Sequence, residues 1–199
     1  MTQAIRSFSE ILDKYDMFIL DQWGVMHDGI RGYDHAIEAV NNLINKNKKL
    51  TIISNSSKRK ISSINSLKNL GFDKNNFIQV MTSGEMIWQE LYNFPDKYDV
   101  KLKNCFHIYD TSKEDGLDFR IGLEKFKFID NIEEADFILA CTPFHKTKPI
   151  DYIPILNYAL DMNLIMFCAN PDFVTIEKNN IKNMFCMGTI ADLYDHMGG

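Results

Sequence analysis

Short unbroken apolar runs alternate along this chain with stretches of helical periodicity. Met17-Phe18-Ile19-Leu20 is apolar throughout and lies between Asp16 and Asp21, the pattern of a strand buried on both faces. The strand stops at a polar, glycine-containing loop, Gln22-Trp23-Gly24-Val25-Met26-His27-Asp28-Gly29. Ahead of it, Phe8, Ile11 and Leu12 share one face of a short helix over 7–15. Tyr33, Ala36, Ile37, Val40, Leu43 and Ile44 recur at helical spacing. Leu50-Thr51-Ile52-Ile53 predicts a second strand, running into Ser54-Asn55-Ser56-Ser57. Ile61, Ile64, Leu67 and Leu70 predict a second helix, with Gly71 as the residue just past its end. Phe77-Ile78-Gln79-Val80 is a third short strand.

Strand, helix, strand, helix, strand over 1–84 implies a parallel, doubly wound α/β sheet. From residue 85 the alternation begins again. A helix starts at Met86, strands are predicted over 105–109 and 136–141, a helix over 153–160, a strand over 164–169 and a last helix over 189–197. The expected organisation is therefore two α/β units, 1–84 and 85–199. In open parallel sheets ligands sit beyond the carboxyl ends of strands. Asp21 and Ser54 stand at two such ends.

Composition narrows the class. The chain has 199 residues, 45% hydrophobic and 25% charged, with net charge −5, which describes an ordinary soluble globular protein. The longest apolar run, 164–169, is far short of the roughly 18 residues a membrane helix needs. The first residues, Met1 to Arg6, show no apolar segment of the kind a secretory signal carries. Lys46, Lys48, Lys49 and Lys58-Arg59-Lys60 are short clusters that read as solvated helix ends, so neither nucleic acid nor membrane is an expected partner. Cys105, Cys141, Cys168 and Cys186 have no C-x-x-C spacing and lie in or beside apolar stretches. They read as buried reduced thiols, which fits the cytoplasm.

Two places have the residues for chemistry. A carboxylate after a buried strand, followed by a tight glycine turn, suits a nucleophile whose neighbouring amides point at an anion. The plain alternative for Asp21 is an aspartate satisfying turn amides. A hydroxyl at the next strand end, before a helix, suits phosphate. The plain alternative for Ser54-Asn55-Ser56-Ser57 is an N-cap.

Together, Asp21-Gln22-Trp23-Gly24-Val25 and Ile53-Ser54-Asn55 resemble motifs I and II of the haloacid dehalogenase superfamily. The subclass they resemble is IIA, home of p-nitrophenyl phosphatase-like, N-acetylglucosamine-metabolism and pyridoxal phosphatases, in a branch with D-x-W-G-V in motif I. Asp28-Gly29, Thr82-Ser83-Gly84, Glu134 to Ile138, Asn170-Pro171-Asp172 and Met187-Gly188-Thr189 follow in that family's order. The resemblance implies a Mg²⁺-dependent phosphatase of a small phosphorylated metabolite. In it Asp21 forms an aspartyl-phosphate, and Asp21 with the Trp23 carbonyl ligates Mg²⁺. The Trp23 and Gly24 amides and Ser54 hold the phosphoryl oxygens, and Asn55 fixes the loop. Residues 85–199 become a C2-type cap, with Asn170 and Asp172 on its substrate side.

Two departures from the family pattern set a rival expectation. Trp23 stands where most of these phosphatases carry a second aspartate, the general acid and base; His27 and Asp28 are the nearby substitutes. The family's later lysine and acidic G-D motif do not occur before Gly199. The alternative is thus a truncated, inactive remnant or binding module. In that case 17–20 is expected at an exposed sheet edge that invites self-association.

Overall fold

The structure, a computed structural model, describes residues 4–97, 102–112, 115–176 and 183–199. The chain forms two compact units, each drawn from two stretches of sequence. The first comprises 1–54 and 61–81, and the second 55–60 and 82–199.

In the first unit β1 (Met17–Asp21), β2 (Lys49–Ser54) and β3 (Gln79–Thr82) form a sheet in that order. β1 and β2 are parallel, with Met17 opposite Lys49 and Asp21 opposite Ile53. The crossover between them is α1 (Asp34–Asn45), whose Ala36, Val40 and Leu43 are buried at four- and three-residue intervals. Phe18, Leu50 and Ile52 pack with Val40, Leu43 and Leu67 in one core. α2 (Lys60–Ser66) follows β2.

β1 is not buried on both faces, as its apolar tetrad predicts. Side chains alternate across a strand, and only the Phe18 face meets the core. Met17 and Ile19, on the other face, are 44% and 61% exposed, as is Ile53 at 49%. The apolar run therefore reflects one covered face and one open one. Among the described residues β1 pairs only with β2, so it is an edge strand.

The second unit holds a four-stranded sheet, all parallel, in the order β5-β4-β6-β7. Its strands are β4 (Asn104–Ile108), β5 (Lys127–Ile129), β6 (Phe137–Ala140) and β7 (Ile165–Cys168). Around it lie α3 (Ser83–Lys97), the single turn α4 (Asp115–Asp118), α5 (Ile153–Asp161) and α6 (Met187–His196). β8 (Val174–Ile176) and β9 (Asn183–Phe185) pair antiparallel. Every residue of β6 is fully buried. Phe137 and Leu139 join one core with Leu91 and Leu123, while Ile138 and Ala140 join another with Leu156 and Ile190. The parallel α/β class is as expected.

Local differences from the sequence reading have local causes. The segment over 7–15 makes two 3₁₀ turns, Phe8–Glu10 and Leu12–Lys14, because so short a piece gains too few hydrogen bonds to hold an α-helix. β3 starts two residues late, since Asp73 caps a 3₁₀ turn by accepting the Asn75 N–H at 2.9 Å. β5 carries no long apolar run and has no counterpart among the expected strands. The four cysteines are free. Burial pushes the Cys105 and Cys141 thiols well up and the Cys186 thiol up to about 11, so they are unreactive. Among the described residues no helix is long and apolar enough to cross a membrane.

Candidate active site

The register of β1 on β2 positions Asp21 and Ser54 in the first unit. Asp21 ends β1 opposite Ile53, and Ser54 ends β2 one residue further. Both therefore stand at the carboxyl edge of one parallel sheet. Alternation puts Asp21 on the open face and turns Ser54, buried, toward the core side. The Gln22 N–H donates to Asp21 Oδ1 at 2.8 Å. That bond orients the carboxylate, and Oδ2 accepts no hydrogen bond among the described residues.

The loop after Asp21 is held by its own backbone. The Gly24 N–H donates to the His27 carbonyl at 2.8 Å and the Met26 N–H to the Gln22 carbonyl at 2.9 Å. The Gly24 N–H, expected to hold a phosphoryl oxygen, here closes the turn. Gly24 has φ +77°, yet a Cβ there meets nothing within 4 Å, so conformation alone requires glycine. Gly29 has φ +88°, and a Cβ there would lie 2.3 Å from the Trp23 ring.

Trp23 stands edge-on to His27, ring centroids 5.5 Å apart. His27 is buried, and its Nδ1 accepts the Gly29 N–H at 2.9 Å. Asp28 Oδ1 accepts the Ile30 and Arg31 N–H groups at 3.0 and 2.9 Å. The two nearby candidates for a proton-transfer group thus bind the loop's own amides.

The remaining expected residues lie in the second unit. Asn55 Nδ2 donates to Asp172 Oδ1 at 2.8 Å, and Asn170 Oδ1 accepts the Asp172 N–H at 3.0 Å. Asn170 and Asp172, expected on the substrate side of a cap, here build a turn that grips Asn55. The segment 55–60 is held along its length. The Gly84 N–H donates to the Ser56 carbonyl at 3.0 Å, and Ser83 Oγ lies 3.1 Å from the same oxygen and 2.6 Å from the Ala169 carbonyl. Thr82 Oγ1 donates to the Lys58 carbonyl at 2.6 Å. Arg59 Nε donates to Glu85 Oε2 at 2.8 Å, and its guanidinium lies 3.6 Å from the Trp88 ring centroid. Burial pulls the Glu85 carboxyl upward, but the Arg59 and Lys60 contacts outweigh it and hold the group below the usual carboxylate range. No motif in the sequence singles out Glu85. Its one signal was an acidic residue in the first turn of an expected helix, which is commonplace.

Mg²⁺ prefers several oxygen donors in near-octahedral array. The first unit offers the Asp21 carboxylate and, by resemblance, one carbonyl. Among the described residues no group of three histidine, cysteine, aspartate or glutamate side chains is placed to hold a metal. The set is incomplete for a dedicated metal cage.

Residues 18–109 match the family described as haloacid dehalogenase-like hydrolase. No curated protein matches. Among solved structures the chain is similar to a haloacid dehalogenase-like hydrolase from Brucella suis, with TM-score 0.81 and 25% identity over 96% of this chain and 69% of that one. It is similar to a possible sugar phosphatase of the same superfamily from Cytophaga hutchinsonii, with TM-score 0.72 and 16% identity over 100% of this chain and 69% of that one. It is also similar to the p-nitrophenyl phosphatase of Archaeoglobus fulgidus, with TM-score 0.59 and 18% identity over 92% and 66%.

Proposed function

We propose that this chain, a haloacid dehalogenase-like hydrolase by its fold and by the signature over 18–109, takes a small phosphate monoester at the carboxyl ends of β1 and β2. The observation that carries the reading is Asp21, oriented through Oδ1 with Oδ2 open, at the strand end beside the one that ends in Ser54. Oδ2 attacks phosphorus, the ester P–O bond breaks with its electron pair going to the departing alkoxide oxygen, and that oxygen takes a proton from solvent water to leave as the alcohol. Water then cleaves the aspartyl-phosphate, releasing inorganic phosphate and restoring the carboxylate. Mg²⁺, expected from the family, would neutralise phosphoryl charge, and the oxygen donors present are a partial set for it. The four free cysteines fit a reducing compartment, and the cytoplasm is the setting we propose.

One observation favours a second reading, a phosphate-binding module without turnover. Trp23 carries no transferable proton, and His27 Nδ1 and Asp28 Oδ1 are occupied within the loop. Positioned acid–base help is worth roughly 10²–10⁴ in rate, so any turnover should be slower by about that factor. Hydrolysis of p-nitrophenyl phosphate with Mg²⁺, measured for the native chain and for Asp21→Asn, separates the readings. Slow turnover lost in Asp21→Asn supports the hydrolase. Inorganic phosphate binding without turnover supports the module. Turnover that survives the substitution removes Asp21 from the chemistry. For the open edge of β1 we propose a second copy of this chain as the natural partner, by strand pairing.

A further inference from the structure

We infer that Asp172 is a positioning residue for the phosphate strand's end, acting through Asn55. The inference rests on the phosphate reading of Ser54 given above. Ser54 closes β2, and the next residue, Asn55, already belongs to the second unit. The Asn55 side-chain amide group donates to Asp172 Oδ1 at 2.8 Å.

Asp172 is itself fixed. Its N–H donates to Asn170 Oδ1 at 3.0 Å, and the Asn170 carbonyl lies 3.2 Å from Cys168 Sγ at the end of β7. On its other flank, a Cβ at Gly188 would lie 2.2 Å from the Pro171 carbonyl and 2.5 Å from the Asp172 carbonyl. That absent side chain lets the first turn of α6 abut the Asn170-Pro171-Asp172 turn. Ser56 is tethered independently by Ser83 and Gly84. The side-chain anchor of Asn55 is a carboxylate brought from 117 residues away. A carboxylate accepting an amide N–H makes a stronger bond than a neutral pair. It holds Asn55, the residue covalently next to Ser54.

The test is a cycle of Asn55→Ala, Asp172→Ala, the double variant, and the exchanged pair Asn55→Asp with Asp172→Asn, which restores one amide–carboxylate bond in reverse. Inorganic phosphate affinity, amide hydrogen exchange over 55–58 and the thermal midpoint are measured for each. Each single variant should weaken phosphate about fivefold, the share of one hydrogen bond. The double variant should be no weaker than either single, and the exchanged pair should recover affinity, exchange protection and the thermal midpoint toward the native values. Additive losses, or single variants that bind and exchange like the native chain, overturn the inference. If the native chain binds no phosphate, the phosphate reading of Ser54 falls, and exchange over 55–58 decides. Faster exchange in Asp172→Ala, reversed in the exchanged pair, upholds the anchoring, and unchanged exchange overturns it.

Discussion

Trp23 sets the character of the loop after Asp21. Its ring occupies the space a Gly29 side chain would need and meets His27 edge-on, so one large side chain packs the loop from within. None of this was legible in the residues themselves. Asp28-Gly29 read as a turn, but only the folded loop shows why residue 29 must lack a Cβ. A second residue-scale feature lies apart from any expected chemistry. His107, in β4, is buried, and its Nδ1 accepts from Arg120 Nε at 3.2 Å, while its Nε2 has no hydrogen-bond partner among the described residues. Burial, reinforced by the Arg120 charge, lowers its pKa from 6.5 to about 3. Between those values the unfolded chain binds a proton that the folded chain refuses. Its stabilising contribution is complete above about pH 6.5 and is lost as pH falls toward about 3, at up to about 1.4 kcal/mol per pH unit. Urea unfolding from pH 7 to pH 4 should show that slope, and His107→Gln should flatten it. An unchanged slope in the variant would assign the acid sensitivity to other groups.

At the scale of elements, β1 and β6 show what apolar runs reveal and what they leave out. Both read as strands from unbroken apolar sequence, and both are strands. β6 is covered on two faces and β1 on one, a distinction that depends on which helices pack where and has no local code. The carboxyl-end positions of Asp21 and Ser54, by contrast, followed from strand boundaries and were legible. β5 was not, since its three residues mix one lysine with two apolar positions and pair only because β4 presents an edge to them. β2 holds a further consequence. Thr51 is buried, and its hydroxyl has no hydrogen-bond partner among the described residues. Valine has nearly the same shape without the polar atom, so Thr51→Val should stabilise the protein by about 1 kcal/mol. A lower denaturation midpoint in the variant would reveal a partner for that hydroxyl.

At the scale of the whole molecule, the chain passes between its two units at 54/55, 60/61 and 81/82. The six residues 55–60 therefore behave as a splint that the second unit borrows from the middle of the first unit's sequence. That rules out clean excision. A fragment of residues 82–199, expressed alone, retains Glu85 in its buried setting but loses the Arg59 and Lys60 cations that neutralise it. Removing the partners of a buried charge costs about 3 kcal/mol or more, so the fragment should melt well below the intact protein. A synthetic peptide of residues 54–61, supplied in trans, should raise its midpoint in a dose-dependent way, and Arg59→Ala in the peptide should abolish the rescue. A fragment that melts as high without the peptide as with it would show that the second unit folds without its splint.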